Sequence, residues 1–263
     1  MAKPTSYGLL DNMRFYVLAS TVLLSVGLAS WLRLHIPSDQ LFYIRTEQLF
    51  GLLCILYWYL ALVISPLGYV IGKQRLEGLT FARRAIGVSA AYFAFLHMAV
   101  SFWGQLGGLS GISLMPSYFK WSLLGGIIAL LILSAMAATS FDAVIRFMTF
   151  KRWKLLHRLV YAGGILAVLH VWSIGTHLSY IGVQIAAFVA LVIMSGLETY
   201  RSVRLISKRF TNLQQEDYFT ALFLGVWAVI IAAILLLPLL VQSYHGKHHT
   251  TAITTSHIEV QHA

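Results

Sequence analysis

Seven apolar runs of about 20 residues, each long enough to cross a bilayer as a helix, dominate this chain of 263 residues. The runs lie at residues 13–32, 49–71, 85–103, 121–141, 155–174, 178–197 and 218–241. Charged residues make up only 11% of the chain, whereas a soluble domain carries about 25%. Because a helix pairs its backbone hydrogen bonds internally, the pattern predicts an all-α integral membrane protein with seven spans.

Basic residues are distributed unevenly between the two ends of these runs. Most of the 19 Lys and Arg lie in the N-terminal segment and in the second, fourth and sixth loops. The positive-inside rule therefore predicts a multi-pass membrane protein with a cytoplasmic N-terminus and an extracytoplasmic C-terminus. The net charge of +10 is thus a sign of topology in the lipid bilayer, and it gives no support to nucleic-acid binding.

Three histidines, His97, His157 and His170, interrupt the apolar runs. A polar ring at membrane depth is costly and usually marks a functional site. Counted from the nearest cytoplasmic basic residue at about 1.5 Å per residue, His97 lies about 20 Å deep and His170 about 24 Å deep. Two imidazoles at matching depth on different helices predict that His97 and His170 hold the iron of one b-type haem.

His157 lies only about 5 Å from the cytoplasmic edge by the same count. Arg152 and Arg158 are close to it in the sequence, and guanidinium groups suit phosphate or carboxylate partners. Several interpretations stay open. His157 ligates a second haem with a partner other than histidine, or it contacts haem propionates, or it forms with these arginines an electron entry point for an anionic flavin.

His157 and His170 lie 13 residues apart on one predicted helix. At about 100° per residue this separation turns an ideal helix by about 220°, so the two rings would not share a face. Gly163 and Gly164 lie between them, and we expect these glycines to permit a bend or the close approach of a haem.

Packing residues and a proton relay are the competing interpretations of the three histidines. A relay usually recruits Asp or Glu, and the predicted spans contain almost none. Asp142 and Glu198 fall at the cytoplasmic ends of predicted helices, where we expect them to be solvated or paired with arginine.

The sequence around the histidines resembles the ferric reductase-like transmembrane superfamily over about residues 45–205. The run Lys-Arg-Trp-Lys-Leu-Leu-His-Arg-Leu-Val-Tyr at residues 151–161, with a second histidine 13 residues after the first, is the most specific motif. Arg83-Arg84 followed by Leu96-His97 adds to it. The branch that it resembles most is the haem-binding membrane subunit of the periplasmic methionine-sulfoxide reductase system.

The resemblance implies a six-helix b-type cytochrome of a bacterial-type inner membrane, to which this chain adds a seventh helix. Electrons would pass from a separate flavin reductase, or from a quinol, to an extracytoplasmic acceptor such as a periplasmic reductase. His97, His157 and His170 occupy the positions of family haem histidines. Related oxidases hold two haems between two histidine pairs, and Ala82 here replaces one inner histidine. The resemblance therefore implies one haem b and leaves a second haem open.

The predicted organisation has four parts. Residues 1–48 form the first span and an outer loop, 49–210 the haem-binding core, 211–241 the additional span, and 242–263 a His-rich outer tail that we expect to be disordered. No Gly-x-Gly-x-x-Gly unit follows the last span, so we expect an electron-transfer subunit without its own flavin or nicotinamide domain. Two alternatives remain: a ferric or cupric reductase acting directly on metal, and a haem-free membrane anchor or assembly subunit.

Overall fold

The structure is a computed structural model, and it describes residues 7–175 and 181–207. Within these residues the chain is helical almost throughout. In chain order the elements are α1 Tyr7–His35, α2 Asp39–Ile71, a 3₁₀ turn Lys73–Leu76, α3 Glu77–Ala99, a π-helical turn Val100–Gln105, α4 Leu109–Leu114, α5 Ser117–Ala138, α6 Asp142–Met148, α7 Phe150–His157, α8 Leu159–Ile174 and α9 Ile181–Ser207. The helices α1 to α8 form one compact unit, and α9 belongs to a second.

Six segments of the described chain are long and apolar enough to cross a membrane. They are Asn12–His35, Asp39–Ile71, Lys73–Gln105, Ser117–Ala138, Phe150–Ile174 and Ile181–Leu205. They correspond to the first six predicted runs, so the prediction of an all-α, multi-pass membrane protein is confirmed. The seventh run, 218–241, and the His-rich tail lie outside the described residues.

Large apolar side chains cover the outside of these spans. Leu23, Leu131 and Ile193 are each half exposed or more, and many other leucines and isoleucines are also exposed. Exposed apolar surface on this scale is a liability in water. Lipid tails solvate it, which agrees with the hydropathy of the sequence.

The second span is longer than the sequence predicts. We expected it to begin near residue 49, but α2 begins at Asp39, directly after Ser38. The Ser38 side chain accepts a hydrogen bond from the Leu41 backbone N–H at 3.4 Å, and Asp39 lies in the first turn, where a negative charge is favourable. This extension places Glu47 within a helix, although the sequence assigned it to an outer loop.

The core of the first unit lies where α2 and α3 pack along each other, with α1 against α3 and α8 against α5. Its buried side chains are Phe50, Cys54, Trp58, Ala90, Ala91, Phe93, Leu133 and Val160. Two hydroxyl pairs join α1 to α3: Thr21 with Ser89 and Ser25 with Tyr92, each at 2.8 Å between oxygens. Hydrogen bonds between membrane helices contribute about 0.6 kcal/mol on average, so these pairs mainly fix the register of α1 on α3.

The helix that carries His157 and His170 is interrupted between them, but at Arg158 and not at Gly163 or Gly164. The Arg158 N–H donates to the Leu155 carbonyl at 3.1 Å, and the Tyr161 N–H donates to the Arg158 carbonyl at 3.2 Å. Each of these bonds joins residues three apart, as in a 3₁₀ helix, so the turn is tighter than in an α-helix. The tighter turn adds to the rotation of about 220° that an ideal α-helix would place between His157 and His170. The interruption thus lies at Arg158, while Gly163 and Gly164 lie within α8, and the close approach of a haem at these glycines stays a prediction.

Candidate functional site

His97 on α3 and His170 on α8 face each other inside the first unit. Their ring centroids are 6.3 Å apart, and the ring planes are nearly perpendicular, at 83°. The two helices that carry these rings have different main neighbours, since α3 packs mostly on α2 and α1 and α8 packs mostly on α5, and α3 also contacts α5. The structure thus brings together the two histidines that the depth count paired.

The separation of the two rings fits one metal ion between them. An imidazole nitrogen binds a metal at about 2.0–2.1 Å and lies about 1.2 Å from its ring centre, so two rings sharing an ion have centroids about 6.4 Å apart. The observed 6.3 Å agrees with this value. The pair therefore fits the axial ligand set of a haem iron, which in several cytochrome classes includes histidine.

The His97 ring is seated on α2. Its Nδ1 lies 3.0 Å from the backbone carbonyl oxygen of Glu47, and a Cβ added at Gly51 would lie only 3.0 Å from the same nitrogen. Residue 51 is four positions after residue 47, so it lies next to that carbonyl on the helix surface. The ring reaches the carbonyl because residue 51 has no side chain. We call the Glu47 carbonyl and Gly51 the His97 seat.

The His170 ring has an equivalent seat on α5. Its Nδ1 lies 2.9 Å from the backbone carbonyl oxygen of Ser122, and a Cβ added at Gly126 would lie 2.8 Å from Nδ1 and Cε1. The Ser122 hydroxyl also donates to the His170 carbonyl at 3.2 Å. We call the Ser122 carbonyl and Gly126 the His170 seat, which repeats the four-residue spacing of the His97 seat.

Both seats select the same form of the imidazole ring. A carbonyl oxygen only accepts hydrogen bonds, so Nδ1 of His97 and of His170 carries the proton and donates it. In a neutral ring the other nitrogen, Nε2, then keeps its lone pair, and that nitrogen is free to bind a metal. Hydrogen bonds to the far nitrogen are the usual way in which proteins orient metal-binding histidines.

His157 has different contacts from His97 and His170. Its ring packs on Trp153 with centroids 4.0 Å apart, and its Nδ1 is 3.1 Å from the Trp153 carbonyl oxygen, one turn earlier on α7. The Trp153 indole N–H donates to the Thr139 carbonyl at 3.0 Å, which fastens α7 to the end of α5. As in the other two histidines, the Nδ1 proton is held and Nε2 keeps a lone pair.

A groove of about 450 Å³ runs along the junction of α7 and α8. Two arginines and four apolar residues line it: Arg152, Leu155, Leu156, Arg158, Leu159 and Ala162. We call this the inner groove, since it lies at the strongly basic end of the span. The structure thus brings Arg152 and Arg158 together, whereas His157 is not among the residues that line the groove.

Asp142 at the start of α6 ties three elements together. Its carboxylate pairs with Arg14 of α1 at 3.1 Å and with Arg84 of α3, and Arg84 also donates to the Ser140 carbonyl. The Arg84 hydrogen bond, supported by the charges of Arg84 and Arg14, lowers the pKa of the Asp142 carboxyl, although desolvation opposes the shift. We call these three side chains the Asp142 clasp. The prediction that Asp142 pairs with arginine is confirmed.

Glu198 on α9 also pairs with an arginine, since Arg201 Nε lies 2.7 Å from its carboxylate. It is only 3% exposed, so the predicted alternative of a solvated side chain is wrong. Spacing explains the pair, because residues three apart on a helix are neighbours.

The Asp142 clasp is expected to be complete at neutral pH and to weaken in acid. The pKa of the Asp142 carboxyl is lower in the folded protein than in the unfolded chain. The clasp therefore contributes fully to the free energy of unfolding at a pH above the unfolded-state pKa, and this contribution is lost as the pH falls through the folded-state pKa. Asp142→Asn should therefore lower the midpoint of thermal unfolding in detergent at neutral pH. The difference from wild type should be small, because the pair is exposed, and should vanish in acid. Equal midpoints at neutral pH would contradict the clasp.

The chain is similar to known membrane proteins in the region of this site. The family model described as ferric reductase like transmembrane component matches residues 46–168, which include His97 and His157 and end just before His170. A protein-methionine-sulfoxide reductase heme-binding subunit from Cronobacter sakazakii is 34% identical over 166 residues, which cover 55% of this chain and 80% of that protein.

Two further relatives carry the same name. Those from Bordetella parapertussis and Deinococcus radiodurans are 34% identical over 132 residues and 37% identical over 119 residues. The alignments cover 50% and 43% of this chain, and the chain spans 60% and 57% of the length of these two relatives. No solved structure matches the chain.

Proposed function

This chain belongs to the family of heme-binding subunits of protein-methionine-sulfoxide reductase, and from that premise we propose that it is a membrane cytochrome with haem b between His97 and His170. The observation that carries this function is the facing pair of imidazoles, 6.3 Å apart between centroids. His97 and His170 would hold the iron of the haem through Nε2 of each ring. When bound, haem supplies a one-electron couple between ferric and ferrous iron.

The protein contributes ligand orientation and exclusion of water. The carbonyls of Glu47 and Ser122 hold the proton on Nδ1 of each ring, which keeps Nε2 directed to ligation and makes the ring a stronger donor. The buried side chains between α2 and α3, with Phe93 at their centre, keep the surroundings apolar. Such surroundings bias the potential of a haem through the local dielectric constant.

One haem per chain is the stoichiometry that we propose. Ala82, at the position where the related oxidases carry an inner histidine, is 1% exposed and packs among Ile64 and Ile86. His157 therefore has no histidine partner at that position on α3. Its contact with Trp153 and its place beside the inner groove support a role in receiving electrons.

Electrons flow outward in this proposal. The donor is a separate flavin reductase or a quinol at the inner groove, where the two arginines suit an anionic group above an apolar floor. The acceptor is an extracytoplasmic reductase of the kind that the names of the relatives mention. Lys and Arg are in excess at the ends of the spans that lie on the side of the inner groove, which supports a cytoplasmic location of that side.

Absorbance of the purified protein tests this function directly. We expect a b-type spectrum on reduction, one haem per chain, and reduction by a flavin reductase with its nicotinamide substrate. Purified protein without haem, after expression with excess haem precursor, would support the membrane anchor instead. Reduction of a ferric chelate by the haem-loaded protein alone, in liposomes, would support the metal reductase.

The inner groove is expected to determine affinity for the donor. Arg152→Ala and Arg158→Ala should each weaken binding of the donor. We expect the concentration of flavin donor that gives half-maximal reduction of the haem to rise about tenfold in each variant, because a charge-assisted hydrogen bond contributes about 1.5–3 kcal/mol. His157→Ala should slow haem reduction more than it changes haem content. Lys154→Ala is the matched control, because it removes a neighbouring positive charge that does not line the groove. Unchanged kinetics in all three variants would exclude this entry point.

A further inference from the structure

Glu47 is a carboxylic acid at membrane depth beside an iron-ligand position. It lies eight residues after the start of α2, about 12 Å along the helix, and its side chain is 19% exposed. Acidic side chains are costly within membrane spans and are usually functional there. Its Oε1 lies 3.4 Å from Nδ1 of His97, while its backbone carbonyl oxygen lies 3.0 Å from the same nitrogen.

The two histidine seats differ in charge at this point. The His97 seat presents a carbonyl and, from the same residue, a carboxylate. The His170 seat presents a carbonyl and a neutral hydroxyl, which donates to the backbone of His170 and not to its ring. Within residues 7–175 and 181–207, the contacts of the two rings thus include a carboxylate beside His97 and none beside His170.

We propose that Glu47 is a positioning residue for His97 whose carboxylate lowers the reduction potential of the haem. This inference rests on the proposed function, because it requires iron between His97 and His170. With two neutral imidazoles, ferric haem carries one more positive charge than ferrous haem. A nearby carboxylate therefore stabilises the ferric form, and the low dielectric constant of the span strengthens the effect.

The position of the carboxylate behind the ring acts in the same direction, while the Nδ1 proton itself is donated to the Glu47 backbone carbonyl. A negative charge 3.4 Å from Nδ1 makes the ring a stronger donor to a metal, and interactions behind a ligand are a recognised determinant of haem potential. A more electron-rich iron gives its electron more readily to an acceptor. A carboxylate beside the His97 ring therefore favours release of the electron from the haem.

The test is the midpoint potential of the haem in purified Glu47→Gln, which keeps the shape of the side chain and removes its charge. We expect a more positive potential, by about 59 mV for a tenfold change in the one-electron equilibrium. Haem content and the low-spin spectrum should stay as in wild type, because the Glu47 backbone carbonyl still seats the ring. Glu47→Asp, which restores the charge at greater distance, should give an intermediate potential.

Glu77→Gln is the matched control for net charge. Glu77 is exposed in the first turn of α3, 20 residues and about 30 Å along the helix from His97, so its removal should leave the potential unchanged. A wild-type potential in haem-loaded Glu47→Gln would overturn the role of Glu47 while haem binding stands. Wild-type protein without haem would overturn the proposed function itself. If purified Glu47→Gln retains no haem, the midpoint potential of Glu47→Asp is the deciding measurement. A midpoint potential more positive than that of the wild type supports the role of the Glu47 carboxylate, and a midpoint potential equal to that of the wild type contradicts it.

Discussion

Replacing either His97 or His170 with Ala is expected to remove most of the haem from the purified protein. In the proposed function each ring would supply one nitrogen to the iron, and the two centroids are at the spacing that a shared ion requires. Loss of a group that merely orients a metal-binding histidine costs about 10–100-fold in affinity, so loss of the ligand itself should cost at least about 100-fold. The measurement is the haem-to-protein ratio, with the spectrum of any haem that remains.

His35→Ala provides the matched control for these variants. His35 ends α1, where it packs on Trp31 and where its Nδ1 lies 2.8 Å from the Trp31 carbonyl oxygen, much as the ring of His157 packs on Trp153. We expect full haem content in this variant. Normal haem content with a low-spin spectrum in both His97→Ala and His170→Ala would show that the pair does not ligate the iron.

Gly126→Ala is expected to disrupt the site almost as strongly, although it changes no ligand. The new Cβ would lie 2.8 Å from Nδ1 and Cε1 of His170, closer than real side chains approach, so the ring must leave the Ser122 carbonyl. We expect haem affinity to fall about 10–100-fold, as for other losses of an orienting partner. Haem titration of the apoprotein measures this effect.

Gly125→Ala separates this effect from a general change in α5. At residue 125 the nearest atom to a new Cβ is the Leu166 carbonyl oxygen at 4.0 Å, which is an ordinary contact. Alanine also favours the helix over glycine by about 0.8–1.0 kcal/mol, so this variant should fold at least as well as wild type. Equal haem affinity in the two glycine variants would exclude the His170 seat.

The sequence predicts the ligand pair because depth in a membrane can be counted. A helix advances by a constant amount per residue, and basic residues mark where each span begins, so His97 and His170 could be placed at one level. The six described spans were predictable for the same reason, from hydropathy and length. Neither the depth of a residue nor the position of a span depends on which helices are neighbours.

The seats could not be predicted, because they depend on the register between helices. Gly51 and Gly126 are ordinary glycines within apolar runs, and only the approach of α3 to α2 and of α8 to α5 gives them a role. The spacing of four residues from Glu47 and from Ser122 is the sole sequence signal, and it is weak. Glu47 was also hidden by the charges around it, which made the start of α2 resemble a loop.

The break at Arg158 has a similar cause. Two adjacent glycines are the more usual position for a bend, but Gly163 is packed, since a Cβ there would lie 3.2 Å from Trp58 and from Ile132. The tight turn falls instead where the hydrogen bonds of Arg158 shorten to three residues. Tertiary packing, which a single sequence does not display, decided between the two positions.

The division of the site between two pairs of helices has a consequence for assembly. One half, α2 with α3, contains one imidazole ring and its seat, and so does the other half, α5 with α8. Each imidazole can thus be oriented by its own pair of helices, and a haem bound to both rings would add a further link between the two pairs. If haem binds as proposed, two fragments severed near α4 should associate more tightly when haem is supplied.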